Sequence, residues 1–367
     1  MSDASLGAYN IEDLRERAKA FLPKGLFEFV DRGTEDEVAL RNNRTAFEHI
    51  KLQPRVMIDV SKRDLGITLF GHRHGLPIAI APTGTAGLMW YHGEVALARA
   101  AATAGIPFTL ATGSTTAMEI VAEAARGAAA EVSGQAKLWF QLYLWPDRAM
   151  SHRLVARAKA AGFDGLVLTV DGVMSANREY NLRNGFTIPF SFTRRNVADV
   201  LAHPRWMLQV LARYVATTGM PRYENFPDEM KQSVTAKPMG RSQPRNESMN
   251  WEDLRTLRRL WTGPLMVKGI LHPADAVLAV ENGADAVIVS NHGGRNLDAT
   301  PAPIDVLPSI VDAVGKRTPV VVDSGFRRGT DVIKALAMGA QCVLIGRGPL
   351  YGIAAAGEAG AVLALRI

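Results

Sequence analysis

The chain is poor in several features that would mark other classes of protein. It holds one cysteine, Cys342, in 367 residues, so no intrachain disulfide can form and a reducing, cytoplasmic setting is expected. Cys342 opens the apolar run Cys342-Val343-Leu344-Ile345 and reads as a buried small hydrophobe rather than a nucleophile. No stretch of about 18 apolar residues is present, which argues against a spanning helix. Met1 to Glu12 lacks the basic start and apolar run of a secretory signal. No GxGxxG follows the first apolar run, which disfavours a dinucleotide-binding sheet. Acidic residues are outnumbered 36 to 42, a net charge of +6, but no nucleic-acid-binding motif accompanies the excess, so none is assigned. His72 and His74 flank Arg73 with no cysteine or carboxylate to complete a metal site, and read as a solvated turn; no metal is expected.

What is present is an ordinary globular composition, 47% hydrophobic and 21% charged. Residues 1–60 read as a helical N-terminal extension. Ile11 to Phe21 has helical apolar spacing, and Glu35-Asp36-Glu37 suits a helix's first turn. A rhythm then begins. Apolar runs at Pro77–Ala81, Phe108–Ala111, Leu138–Tyr143, Leu166–Val170, Leu265–Val267, Ala286–Val289, Val320–Val322 and Cys342–Ile345 alternate with helix-like segments. Eight such units imply an α/β fold, a (β/α)8 TIM barrel, with residues 1–367 as one domain. A doubly wound sheet is the alternative.

One unit is overlong. The connection from Asp171 to Leu265, after the fourth strand, exceeds a normal crossover, and residues 186–250 read as an inserted loop. Within it, 197–214 suggests a helix with Met207, Leu208, Leu211 and Tyr214 on one face, flanked by Arg194, Arg195, Arg205 and Arg213. Residues 220–248, rich in Pro, Ser, Asn and Lys, read as a mobile loop. A basic amphipathic segment over about 190–248 suits peripheral binding to an anionic membrane surface; a lid or subunit-interface helix is the alternative.

In such a barrel the site forms at the C-terminal strand ends. These carry Pro82-Thr83-Gly84, Thr112-Gly113, Gln141 with Tyr143, Thr169 with Asp171, Lys268, and Ser290-Asn291-His292-Gly293-Gly294-Arg295. Asp323-Ser324-Gly325-Phe326-Arg327 and Gly346-Arg347 follow the last two strands. His292 offers a base that works near neutral pH, and Arg295 a bidentate clamp for a carboxylate. Paired Gly-plus-Arg motifs after strands seven and eight suit a cofactor phosphate. Lys268, ending a buried strand, calls for an anionic partner: a reduced flavin or a structural carboxylate.

Asp171, Lys268, SNHGGRNLD (290–298), DSGFRRGTD (323–331) and IGR (345–347) together resemble the FMN-dependent L-2-hydroxy acid oxidase and dehydrogenase family. The likeness runs from Leu22-Pro23-Lys24 to Gly357-Glu358-Ala359-Gly360. It implies FMN as cofactor and oxidation of an (S)-2-hydroxy acid to the 2-oxo acid. His292 would be the base, Asp171 its orienting carboxylate, Arg178 and Arg295 the carboxylate ligands, and Tyr143 a hydrogen-bonding partner. Lys268 would stabilise reduced flavin. Thr83, Gly84, Thr112, Gln141, Thr169 and Ser290 would hold the ring, Asp323 the ribityl chain, and Gly325, Arg327, Gly346 and Arg347 the phosphate. A quinone or another electron acceptor, a homotetramer, and a location on the inner membrane face are further implications; the chain stops at Ile367, early in the expected last helix, so either a terminal segment is absent here or this member is short.

The departures bear on the substrate. Phe29 stands where the family has a tyrosine that binds the carboxylate, Asn296 where it has Gln, and Gly84 and Gly113 where short-chain oxidases carry larger residues. Small residues beside the substrate favour a bulky, mandelate-like side chain. An O2-using oxidase or an L-lactate dehydrogenase is the alternative within the class. A barrel binding FMN or phosphate without turnover is the alternative outside it.

Overall fold

A computed structural model describes residues 7–186, 190, 193–231, 233–235 and 247–367. Eight parallel strands close into a barrel: β3 (Ile78–Ile80), β4 (Phe108–Ala111), β5 (Leu138–Leu142), β6 (Gly165–Thr169), β7 (Leu265–Ile270), β8 (Ala286–Val289), β9 (Val320–Val322) and β10 (Cys342–Ile345), with β10 pairing β3. The doubly wound alternative is thereby excluded. These strands are short, rich in valine and isoleucine, and buried on both faces, as parallel strands under a helical shell must be.

Alternate residues fill the interior, among them Trp139, Val167, Met266, Ile288, Val321, Cys342 and Leu344. Trp139 pairs in register with Gly165, where a Cβ would come within 2.7 Å of the indole. The glycine therefore makes room for the largest interior side chain. Cys342 is fully buried, as its run suggested.

The strand pattern alone had not revealed a two-stranded hairpin, β1 (Ile67–Leu69) and β2 (His72–His74), across the barrel's N-terminal end. Its turn residues Phe70 and Gly71 have φ of +50° and +76°, the left-handed pair that matches strand twist. Phe70 meets Trp139 edge-on at 6.1 Å and Leu69 joins the interior cluster. The solvated-turn reading is corrected here, because His74 is only 3% exposed.

The N-terminal extension contains helices Ile11–Phe21, Lys24–Asp31 and Val38–His49. The acidic triplet lies before the third helix, not in its first turn. Glu37 adopts left-handed φ at the cap, where its carboxylate takes Arg32 at 2.6 Å and the Gly33 N–H at 2.8 Å. Asp298 caps the helix instead, accepting from Val38 N at 3.0 Å and Ala39 N at 2.9 Å. After it, residues 51–65 form no helix or strand and are exposed, including Val56 and Met57.

In the insertion, Pro204 starts a second helix and splits the expected 197–214 piece into Arg194–Leu201 and a run from Pro204 to Thr217 with a π-helical turn at Met207–Leu211. Tyr214, Val210 and Trp206 are buried, whereas Leu208 faces solvent. Residues 221–231 and 233–235 are not the loose loop expected; Asn225 is fully buried and Arg222 bridges to Ser233. Positions 187–189, 191–192, 232 and 236–246 lie outside the described residues.

Among the described residues, one helix, Arg347–Arg366, has the length and mean composition of a membrane crossing, although Arg347, Glu358 and Arg366 leave no continuous apolar run of that length. It is mostly buried, packs on Ile11–Phe21 and Gly93–Thr103, and kinks at Ala356-Gly357, which marks it as the barrel's last helix. Asp298→Ala removes both acceptors at the start of Val38–His49 and should cost about 1–3 kcal/mol. Chemical denaturation with unchanged m-value checks this; an unaltered midpoint would contradict the cap.

Candidate active site

The β8 strand ends at Val289, and the chain then turns sharply. His292, Gly293 and Gly294 have φ of +59°, +67° and +71°. A Cβ on Gly294 would lie 2.6 Å from Leu40 N, so the turn requires glycine where the Val38–His49 helix packs against it. His292, a strained left-handed residue, is held by its N–H donating to Ser290 Oγ at 3.0 Å. Its Nδ1 lies 2.9 Å from Asp171 Oδ1, which fixes the Nδ1–H tautomer, and its Nε2 lies 3.4 Å from the Tyr143 hydroxyl.

Asp171 reaches His292 across β7, where the pairing with β8 slips at a bulge between Lys268 and Ile270. The bulge residue Gly269 has φ +110°, and a Cβ there would come within 2.7 Å of Asp171 Cβ. Asn296 Nδ2 donates to the Asp171 carbonyl at 2.8 Å. Burial pushes the His292 imidazole below its usual range; Asp171 opposes this and Lys268 adds to it. Burial alone would raise Asp171, but His292 and Lys268 bring the net shift below the ordinary value. The pair therefore rests as carboxylate and neutral imidazole, with Nε2 able to accept a proton.

Lys268 is buried, contacts Asp323 at 3.1 Å and donates to Ser290 Oγ at 2.8 Å. Burial would lower its pKa, but Asp323 and Asp171 raise it overall, so the ammonium stays charged. Asp323 accepts from Ser324 Oγ at 2.8 Å, and that oxygen takes the Gly293 N–H at 3.0 Å. Ser324, with φ +78°, thus ties the lysine's partner to the histidine turn. Neither Gly269 nor Ser324 was singled out from sequence. The serine inside Asp323-Ser324-Gly325 was the available signal.

The arginines gather beside this group. Arg178 donates to the Arg295 carbonyl at 3.4 Å, and Arg295 donates to the Arg32 carbonyl at 3.0 Å over the Phe29 ring, 5.1 Å from its centroid. Arg347 is turned onto three carbonyls, Val30 and Gly293 at 2.9 Å and Arg32 at 3.2 Å, so it also clips the N-terminal helices to the mouth. Arg327 donates to the Phe326 carbonyl at 2.8 Å and lies over Tyr351. Burial pushes Arg347 down to about 10, and the fields of Arg295 and Arg327 contribute. An anion among these guanidinium groups would relieve that repulsion. Gly325 cannot carry a side chain, since its Cβ would meet the Asn43 carbonyl.

The remaining residues line the same mouth. A Cβ on Gly346 would sit 3.6 Å from both Ala81 Cβ and Thr83 Cγ2. Thr112 donates its hydroxyl to the Gln141 carbonyl, and Thr112 N donates to Gln141 Oε1 at 3.3 Å. Gly84 and Gly113 face one another, their loops joined by the Thr85 N–Gly113 O bond at 2.9 Å. Gln141 Nε2, Thr169 Oγ1 and Asp171 Oδ2 are buried with no hydrogen-bond partner among the described residues. Buried polar atoms are rarely left so. Unpaired groups at adjacent strand ends, a buried ammonium and an arginine cluster fit a planar, polar ring system with a phosphate tail, and FMN has that form. No cluster of metal-ligating side chains occurs among the described residues.

The fold and mouth thus define a flavin-type (β/α)8 barrel. Residues 18–367 match the model of the FMN-dependent dehydrogenase family, and the chain belongs to that family. It is 42% identical to (S)-mandelate dehydrogenase of Pseudomonas putida over 97% of this chain and 86% of that protein. An L-lactate oxidase of a Nostoc species is 41% identical over 96% of this chain and 88% of its own length. Among solved structures, the monotopic membrane protein (S)-mandelate dehydrogenase superposes with a TM-score of 0.88 at 41% identity, covering 98% of this chain and 92% of that one. The protein is an FMN-dependent oxidoreductase.

With its pKa lowered, His292 should titrate below an ordinary imidazole, about 6.5. Asp171→Asn should move the midpoint lower still, because the carboxylate favours the imidazolium. NMR titration of ring-labelled histidine measures both; a midpoint above 6.5 would contradict the electrostatics described.

Proposed function

We propose that the protein oxidises an (S)-2-hydroxy acid with an aromatic, mandelate-like side chain to the 2-oxo acid, passing the electrons to a quinone or comparable acceptor. The observation that carries this reading is the His292–Asp171 pair, its Nε2 facing Tyr143, beside Arg178 and Arg295. Binding a phosphate or a flavin without turnover needs none of these groups. FMN, when bound, supplies the two-electron acceptor. His292 Nε2 receives a proton from the CHOH unit, and Asp171 stabilises the resulting imidazolium. Arg178 and Arg295 hold the substrate carboxylate, and Tyr143 hydrogen-bonds it or the hydroxyl.

Phe29 takes a different part from the tyrosine it replaces. Its ring supports the Arg295 guanidinium face and packs on Phe186 at 5.8 Å, so Arg295 is positioned without a hydroxyl donor. Lys268, Gln141, Thr169, Thr112, Ser290 and the Thr83-Gly84 backbone would hold the flavin ring, Asp323 would serve the ribityl chain, and Gly325, Arg327, Gly346 and Arg347 would hold the phosphate. Gly84 and Gly113 leave room for a ring, which favours an aromatic acid over lactate. The likeness to an L-lactate oxidase supports O2 as the second acceptor reading.

Two assembly features belong to the proposal. Leu201, Leu208 and Val215 are exposed on a segment that also carries Arg194, Arg195, Arg205 and Arg213. We read this surface as docking on the anionic inner face of the cytoplasmic membrane; the likeness to a monotopic membrane protein supports it. The exposed apolar stretch 51–65 suits contact with another copy in a homotetramer.

His292→Asn should lower (S)-mandelate turnover with an artificial acceptor by on the order of 10²–10⁴-fold while FMN content is kept. Undiminished turnover would remove His292 as base. Co-flotation with anionic, not neutral, vesicles should weaken as salt rises; absence of binding at low salt would sink the membrane assignment.

A further inference from the structure

The two glycines assigned above to the substrate side-chain pocket have an aromatic ring beside them. A Cβ on Gly113 would lie 4.0 Å from Gly84 Cα and 3.9 Å from Tyr223 Cε1. Tyr223 comes from the insertion after β6, yet it reaches the loop that follows β4. Its segment is fastened there. Glu224 N donates to the Ser114 carbonyl at 3.2 Å. Asn225, fully buried, donates to Ser114 Oγ and to the Thr116 carbonyl at 2.9 Å, and accepts from Met118 N at 2.9 Å.

The ring is fixed from the other side as well. Tyr223 stacks on Phe226 with centroids 4.5 Å apart and planes 11° from parallel. Phe226 in turn meets Trp145 edge-on at 5.7 Å. Trp145 lies two positions beyond Tyr143, whose hydroxyl faces His292. Tyr223 therefore stands between the loops after β4 and β5, with its apolar edge towards Gly113. Tyr223 is half-buried there, and burial holds its phenol well above the usual range.

We infer that Tyr223 is a specificity-determining residue: its ring is the outer wall of the pocket for the substrate's side chain, opposite the floor made by Gly84 and Gly113. The inference rests on the 2-hydroxy acid reading above and deepens it. A rigid aromatic wall held by stacking contributes little to a methyl side chain and much to a ring, through contact area and exclusion of water. The insertion thereby shapes selectivity.

The test compares FMN-loaded wild type, Tyr223→Ala, Tyr223→Leu and Tyr223→Phe. The readouts are kcat/KM for L-lactate, (S)-2-hydroxyoctanoate and (S)-mandelate, and flavin-absorbance titration with phenylacetate, an unreactive aromatic acid. Tyr223→Ala should lose ~10–100-fold in kcat/KM for mandelate, weaken phenylacetate similarly, and leave lactate within ~3-fold. Tyr223→Phe should stay within ~3-fold throughout, because the ring and not the hydroxyl is the wall. Tyr223→Leu, which keeps apolar volume, should lie between. An equal loss for all acids, or none for any, would overturn the assignment. The wild type's own preference judges the aromatic-acid reading separately: an enzyme selective for lactate would refute that reading, while a changed side-chain profile in Tyr223→Ala would still support the wall.

Discussion

The site depends on one contact made across a strand. Asp171 follows β6 and His292 follows β8, so their side chains must meet over the end of β7, at 2.9 Å. A regular strand would put a side chain between them. Gly269, at the bulge, leaves that space free, since a Cβ there would come within 2.7 Å of Asp171 Cβ, and the same strand places Lys268 against Asp323 and Ser290. One irregularity thus sets the spacing of His292, Asp171 and Lys268. It also fixes their charges. The lysine helps keep Asp171 ionised and His292 neutral, the protonation state from which a base can act.

The N-terminal helices are part of the same construction rather than an appendage. Asp298, at the end of the histidine run, caps Val38–His49, and Asn43 and Asn291 exchange hydrogen bonds at 2.9 and 2.7 Å. Arg295 and Arg347 reach the carbonyls of residues 30 and 32, which close the preceding helix. The positively φ-rich turn 292–294 is therefore held from outside the barrel, and its strain is balanced by these contacts.

Much of this was legible in sequence because barrel strands leave a strong trace. Ala286–Val289, Val320–Val322 and Cys342–Ile345 are buried on both faces, so their apolar runs coincide with the strands themselves. Polar residues at each run's end then marked the mouth. The hairpin left no trace, since His72-Arg73-His74 has no apolar alternation and its role comes from Leu69 and Phe70 plugging the barrel. Glu37 was misplaced because its carboxylate serves Arg32 and Gly33, a tertiary arrangement that helix-start rules do not capture. Tyr223 and Asn225 sat in a stretch whose composition suggests a loop; buried hydrogen bonds to Ser114, Thr116 and Met118 order it. Arg347 read as a phosphate ligand from its Gly-Arg motif; the structure shows it donating to the carbonyls of Val30, Arg32 and Gly293, contacts the motif did not announce.

The most direct measurement of the central claim is anaerobic rapid mixing of the purified yellow protein with (S)-mandelate and, separately, L-lactate, followed by flavin absorbance. The account predicts fast bleaching by (S)-mandelate, slower bleaching by lactate, and none by the (R)-acid. Bleaching by lactate alone would contradict the pocket drawn around Gly84 and Gly113. A flavin that stays oxidised with every 2-hydroxy acid would contradict the roles given to His292 and Asp171.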